Sequence, residues 1–220
     1  MVAPRVSITV MTAGPKILPA LRLAIAEKAE DFLAKVGVSV IKNARVKSIS
    51  PEDAGPDSPV TITLEDGTTM QADLYIPATG TRPNTGFAAN ELLAADGRVD
   101  VNKETLRVDK AGPRIYAIGD VSSAARPAVH LILEAVPVLC TNIKRDLLLD
   151  AGVKSSVGED RTFKEDTRET QLVPIGKNKG VGAAMGWKVP SWAVWLIKGR
   201  DYWLWTTGDL WSGKQWAKES

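Results

Sequence analysis

The stretch that most restricts what this chain can fold into is Arg114–Asp120, RIYAIGD. A short apolar run, Ile115 to Ile118, is predicted as a strand ending in Gly119 and Asp120, and an apolar segment with helical spacing follows from about Val129 to Leu149. Gly119 lets the backbone come close to a ligand. Asp120 then presents a carboxylate that accepts hydrogen bonds from hydroxyls. The helix directs its partly positive N-terminus back at the same place. By itself, a strand ending in Gly-Asp is more often a plain turn than a ligand site.

A second stretch shifts that balance. ADLYIPATGTRPNT, Ala72–Thr85, is again read as a strand, Asp73–Ile76, that ends in a glycine turn at Thr79 and Gly80. The pair, in this order, resembles the two-dinucleotide-binding flavoproteins, in the branch similar to apoptosis-inducing factor and ferroptosis suppressor protein, which are NAD(P)H:quinone oxidoreductases. The resemblance covers nearly the whole chain. It implies an α/β fold: a partial two-dinucleotide-binding, FAD/NAD(P)-binding Rossmann-like architecture with a small α+β C-terminal lobe. The expected division is 1–78 for the remainder of an NAD(P)H-binding domain, 79–152 for the C-terminal part of an FAD-binding domain, and 153–220 for a Trp-rich lobe.

The same resemblance implies the site. Gly119 and Asp120 would hold the ribityl and phosphate side of FAD, and the backbone of Val121 would face the flavin pyrimidine edge. Thr79 and Gly80 would shape the crossover between domains. Hydride would pass from NADH or NADPH to flavin, and electrons would go on to a quinone-like acceptor. No catalytic side chain and no metal site is expected, because hydride transfer depends on alignment more than on a proton shuttle.

In chain order, Val6–Met11 reads as a buried parallel strand. In the family this is the second strand of the NAD(P)H domain, and it ends here in Met11, Thr12 and Ala13, which leaves NADH against NADPH open. A helix is predicted over Leu18 to Val36, with Gly37 as its cap. Val38–Ile41 and Ala44–Ile49 read as strands, and Pro51–Pro59 as an exposed loop. Val60–Leu64 and Thr68–Met70 flank Glu65-Asp66-Gly67 as a hairpin. Val99–Val108 suggests a short strand pair. Pro137 should kink or restart the long helix. Thr170–Pro174 and Gly180–Met185 read as strands, and Ser191 as the cap of a short helix, Trp192–Lys198, ended by Gly199. Arg200–Trp216 is read as helical.

Gly180-Val-Gly182-Ala-Ala-Met-Gly186 looks like a phosphate loop, but Trp187 to Pro190 follow it instead of a helix, so a glycine-bearing strand is the better reading. No other glycine fingerprint stands in the chain. The family carries two, and both would lie before Val6. The expectation is therefore a truncated flavoprotein that holds FAD weakly. The alternative is a cofactor-free remnant acting by interaction or membrane contact.

Composition narrows the partners. A net charge of +2 over 220 residues argues against nucleic acid. No apolar run reaches membrane-span length, and the first residues lack a signal-peptide core. A cytoplasmic, or peripherally membrane-bound, protein is expected. The lone Cys140 excludes a redox cysteine pair, so electrons would go to a diffusible acceptor. Cys140 reads as a buried thiol and His130 as a core or capping residue. All seven tryptophans fall between Trp187 and Trp216. A core is the favoured reading of them, with a membrane-surface patch carrying Lys188, Lys198 and Arg200 as the other.

Overall fold

The computed structural model describes residues 6–53, 58–153 and 157–214. Trp216 and the middle of the predicted 51–59 loop lie outside the described residues. In chain order the elements are β1 (Ile8–Met11), α1 (Leu23–Lys35), β2 (Val38–Ile41), β3 (Val46–Ser50), β4 (Val60–Leu64) and β5 (Thr69–Ala72). They are followed by α2 (Val129–Asp150), β6 (Gln171–Ile175), β7 (Lys179–Ala184), β8 (Trp187–Lys188), α3 (Ser191–Val194) and α4 (Thr207–Trp211). The chain divides into two compact units, Met1–Ala78 with Arg168–Thr207, and Thr79–Thr167 with Gly208–Ser220.

In the first unit, β1, α1 and β2 form a strand–helix–strand crossover, with Ile8 to Met11 paired in parallel to Val38 to Ile41. Gly37, at φ +82, turns the chain out of α1 and donates its N–H to Ala34 O at 3.0 Å, the capping geometry that glycine favours. The helix is shorter than expected because Leu18 to Leu21 form a turn and Arg22 occupies the N-cap. β1 is parallel as expected but not buried: Ile8 is 52% exposed, since among the described residues its only sheet partner is β2. A three-stranded antiparallel meander, β3-β4-β5, follows, and Gly67 (φ +87) closes the predicted hairpin. Ala44, Val60, Ile62 and Leu64 make its core.

Arg168–Thr207 belongs to this same unit, which differs from an independent lobe over 153–220. Its antiparallel sheet β6-β7-β8 contributes Ile175, Val181 and Ala183 to a core shared with Leu21, Ile25 and Ala29 of the α1 region. The glycine run is the strand β7, not a phosphate loop. Ser191 does not cap α3: Pro190 is the N-cap, and Ser191 Oγ accepts the Gly180 N–H at 3.0 Å. After α3, the segment Trp195–Gly199 winds as a π-turn.

The described tryptophans are not a core. Val194 is fully buried beneath α3, while Trp187, Trp192, Trp203, Trp205 and Trp211 are exposed and Trp195 is half-buried. The buried anchor under the helix is a small aliphatic side chain that fits over glycine, and a ring at that position would not.

The second unit is built on α2, 22 residues long and continuous through Pro137. Leu131, Ala135, Val138 and Asn142 form its buried stripe. Ala135 and Val138 pack with Val99, Val101, Leu106, Val108 and Phe163. Cys140 lies on the opposite side of the helix and is exposed, which corrects the buried reading: an apolar run does not say which face is covered. Three predicted strands are missing. Asp73–Ile76, Val99–Val108 and Ile115–Ile118 form no ladder. They make isolated bridges at most, among them Arg107 with Tyr116 and Val99 with Ser122. Leu106 to Val108 does run beside Ile115 to Ala117, with the Val108 N–H donating to Ile115 O (2.8 Å) and the Ala117 N–H to Leu106 O (3.3 Å), but the pairing ends after one bridge and no ladder extends from it.

Candidate functional site

Within the second unit, extended backbone at Ile118 leads into a single 3₁₀ turn, Gly119–Val121. Gly119 sits at φ +74, a conformation costly for any residue with a Cβ. An added Cβ would also lie 3.3 Å from Ile132 Cδ1, in the first turn of α2. Gly119 was expected to bring the backbone close to a ligand; what it brings close here is the turn to the start of α2.

Asp120 stands at the tip of that turn, exposed, and its carboxylate has no hydrogen bond or ion pair among the described residues. The Val121 side chain packs toward the core and its carbonyl accepts the Val99 N–H at 2.8 Å. Ala128, the N-cap of α2, offers no side-chain cap, and no acid stands in the first turn. The partly positive end of the helix is thus uncompensated beside Gly119. His130, in that turn, has a buried Nε2 without a partner.

Three consecutive site residues are therefore together: Gly119, Asp120 and Val121. Thr79 and Gly80 are exposed, Gly80 at φ +101, and neither lines the cavity beside Gly119. That cavity measures about 20 Å³ and is lined by Gly119, Ser122, Leu131, Ile132 and Ala135, among others. It has room for about one water, not for a ring system.

The sequence did not single out the residues that fix this turn. Arg98 donates from Nη1 to the carbonyls of Ser122 (3.0 Å) and Ala125 (2.5 Å) while paired with Asp96. Buried Ser122 accepts the Ala124 N–H on Oγ at 3.1 Å, and Ser123 Oγ accepts the Val101 N–H at 3.1 Å. Upstream, Tyr116 donates its hydroxyl to Asp146 at 2.5 Å. Arg107 makes paired hydrogen bonds to Asp146 (2.9 and 2.7 Å) and to Asp160 (both 2.8 Å). The only sequence hint was the run of small residues after Asp120, which permits a tight backbone. Nothing local marked Arg98 or Arg107.

The Arg107 guanidinium holds the carboxyls of Asp146 and Asp160 below the usual range. Burial, then the bond to Asp146, pushes the Tyr116 hydroxyl up to about 12.

This arrangement fits the polyol side of a nucleotide cofactor: a free carboxylate, a close-approach glycine and an open helix N-terminus. Comparison with known proteins agrees on the class. Residues 3–138 match the pyridine nucleotide-disulphide oxidoreductase family model, and the chain belongs to that family. The chain is 61% identical to the oxidoreductase phnG of Penicillium herquei, over 99% of its length and 53% of that protein's. It is 29% identical to ferroptosis suppressor protein 1 of Taeniopygia guttata, over 86% of this chain and 48% of that one. The chain thus spans about half the length of these relatives. Among solved structures, the HOCl-induced flavoprotein disulfide reductase RclA of Escherichia coli shares the fold. The match has TM-score 0.55 at 20% identity, over 81% of this chain and 36% of that one. The α/β core described above is part of an FAD/NAD(P)-binding Rossmann-like fold.

Proposed function

We propose that this chain carries the ribityl-side half of a flavin site in an FAD-dependent NAD(P)H oxidoreductase whose acceptor is quinone-like. The observation that carries the reading is Asp120, a carboxylate without a partner held on the Gly119 turn beside the uncapped start of α2. FAD, when bound, supplies the hydride acceptor between the nicotinamide and the final acceptor. Asp120 accepts from ribityl hydroxyls, Gly119 admits them at close range, and the backbone at Val121 meets the pyrimidine edge. Thr79 and Gly80 form the crossover between domains. We place the protein in the cytoplasm or peripherally on a membrane.

The small cavity beside Gly119 favours one second reading, a remnant that acts without cofactor. FAD titration by fluorescence quenching separates the two. The flavin reading expects measurable binding that weakens on Asp120→Ala by about 1.5–3 kcal/mol, the worth of a charge-assisted hydrogen bond. Binding that is absent, or equal in both proteins, supports the remnant.

A further inference from the structure

The flavin reading leaves one surface of the first unit unused. Between 185 and 205, eight large apolar side chains stand exposed, Trp187, Trp192, Leu196, Tyr202, Trp203 and Trp205 among them. Fully buried Val194 fixes which side of α3 faces inward, so Trp192 and Leu196, two residues to either side, are turned out. Large apolar side chains exposed this often along one segment mark a surface that something covers.

Charge says what covers it. Residues 168–207 carry six Lys and Arg against two Asp and Glu, although the whole chain nets only +2. Lys177, Lys179 and Lys188 are exposed and have no ion-pair partner among the described residues. Arg200 pairs with its neighbour Asp201, and Lys198 Nζ bonds Leu172 O at 3.1 Å. Indole and phenol rings present an apolar body with a polar edge, which suits the boundary between water and hydrocarbon. Cations set among such rings are drawn to anionic headgroups. A second copy of the chain could bury the rings, but it would bring the unpaired lysines against their own kind.

We propose that the 185–205 surface docks on an anionic membrane. The inference rests on the peripheral-membrane placement above and not on flavin binding, so the two fail separately: lipid binding is measured without flavin or turnover. The full chain is co-sedimented with phosphatidylcholine vesicles, with and without phosphatidylserine, and tryptophan emission is followed with brominated lipids. Binding is expected mainly to the phosphatidylserine vesicles, with blue-shifted, quenched emission and weakening as salt is raised. Trp187→Ala with Trp192→Ala lowers binding and quenching. Lys188→Glu, at an exposed position without partners, keeps the far-ultraviolet circular dichroism of the parent and lowers binding at least about fivefold. Equal sedimentation with and without vesicles overturns the proposal. So does binding indifferent to both salt and Lys188→Glu. A dimer in sedimentation velocity that Trp192→Ala dissociates assigns the surface to a second copy, and overturns it as well.

Discussion

A Cβ atom on Gly180 would lie 2.4 Å from Cγ1 of Val194 and 3.0 Å from the Val173 carbonyl. The second glycine of the run is as confined: a Cβ on Gly182 would lie 2.3 Å from the Gln171 carbonyl. These glycines are there so that α3 and β6 can sit down on β7. Gly180→Ala is expected to cost about 1–3 kcal/mol by overpacking, read as a lowered melting temperature. An unchanged melt would show that α3 lifts off without cost.

The same contact assigns the stability of this region to Val194 and not to the rings around it. Val194→Ala opens a cavity at a fully buried position and should destabilise by about 1–3 kcal/mol. Trp192→Ala, at 68% exposure, should stay within about 0.5 kcal/mol of the parent. Paired thermal melts decide it, and the reverse order would restore the tryptophan core.

What could be read beforehand was what depends on local rules. The Glu65-Asp66-Gly67 hairpin, the Gly37 cap, the helix α1 between two strands and the strand nature of the glycine run all follow from residues within a few positions of each other. So did the Gly119 turn and the free Asp120. The strands over 73–76 and 115–118 did not follow, because a ladder needs pairing that continues, and 115–118 meets its neighbour at the single Arg107–Tyr116 bridge. Burial was the weakest inference. The helix α2 is apolar on more than one side, so Cys140 and Leu147 point out while Asn142, a polar residue, points in.

Asn142 is fully buried and satisfied by three bonds. Its Nδ2 donates to the carbonyls of Thr105 (3.1 Å) and Arg161 (3.0 Å), and its Oδ1 accepts the Arg161 N–H (2.9 Å). Asn142→Leu keeps the volume but strands backbone groups on two loops. A loss of about 1–3 kcal/mol or more is expected in urea unfolding, from unsatisfied buried polar groups. A variant as stable as the parent would mean that water reaches those carbonyls.

Gly119 and Asp120 should separate stability from binding. Gly119→Ala forces a Cβ into positive φ against Ile132 and should cost roughly 1–2 kcal/mol of stability. Asp120→Ala, exposed and without partners, should leave the melt within about 0.5 kcal/mol of the parent while weakening FAD. If Asp120→Ala instead destabilises the fold, the carboxylate has a structural partner and the ligand reading loses its support.

The Arg107 cluster sets the pH window of the second unit. Asp146 and Asp160 have lowered folded-state pKa values, mainly through hydrogen bonds from Arg107. Their contribution is fully present above the ordinary carboxylate range and is lost as pH falls through the lowered folded values. Tyr116 runs the other way. Its folded value, about 12, lies above the ordinary tyrosine value of 10.0, so its contribution is full below that value and disappears as pH rises toward 12. Arg107 itself is pushed further up by the two aspartates and stays charged throughout. Arg107→Met removes the hydrogen-bonded cation and leaves two neighbouring, half-buried carboxylates with only the more distant Arg145, 3.6 Å from Asp146 and 3.5 Å from Asp160. About 3–5 kcal/mol should be lost at neutral pH, the cost of breaking a buried pair. Much of that loss should be recovered on acidification, because Asp146 and Asp160 now protonate at ordinary or raised pH. Urea unfolding of parent and Arg107→Met between pH 4 and 8 checks both the size and the sign. A constant difference across that range would show that the cluster holds the unit together by packing and not by charge.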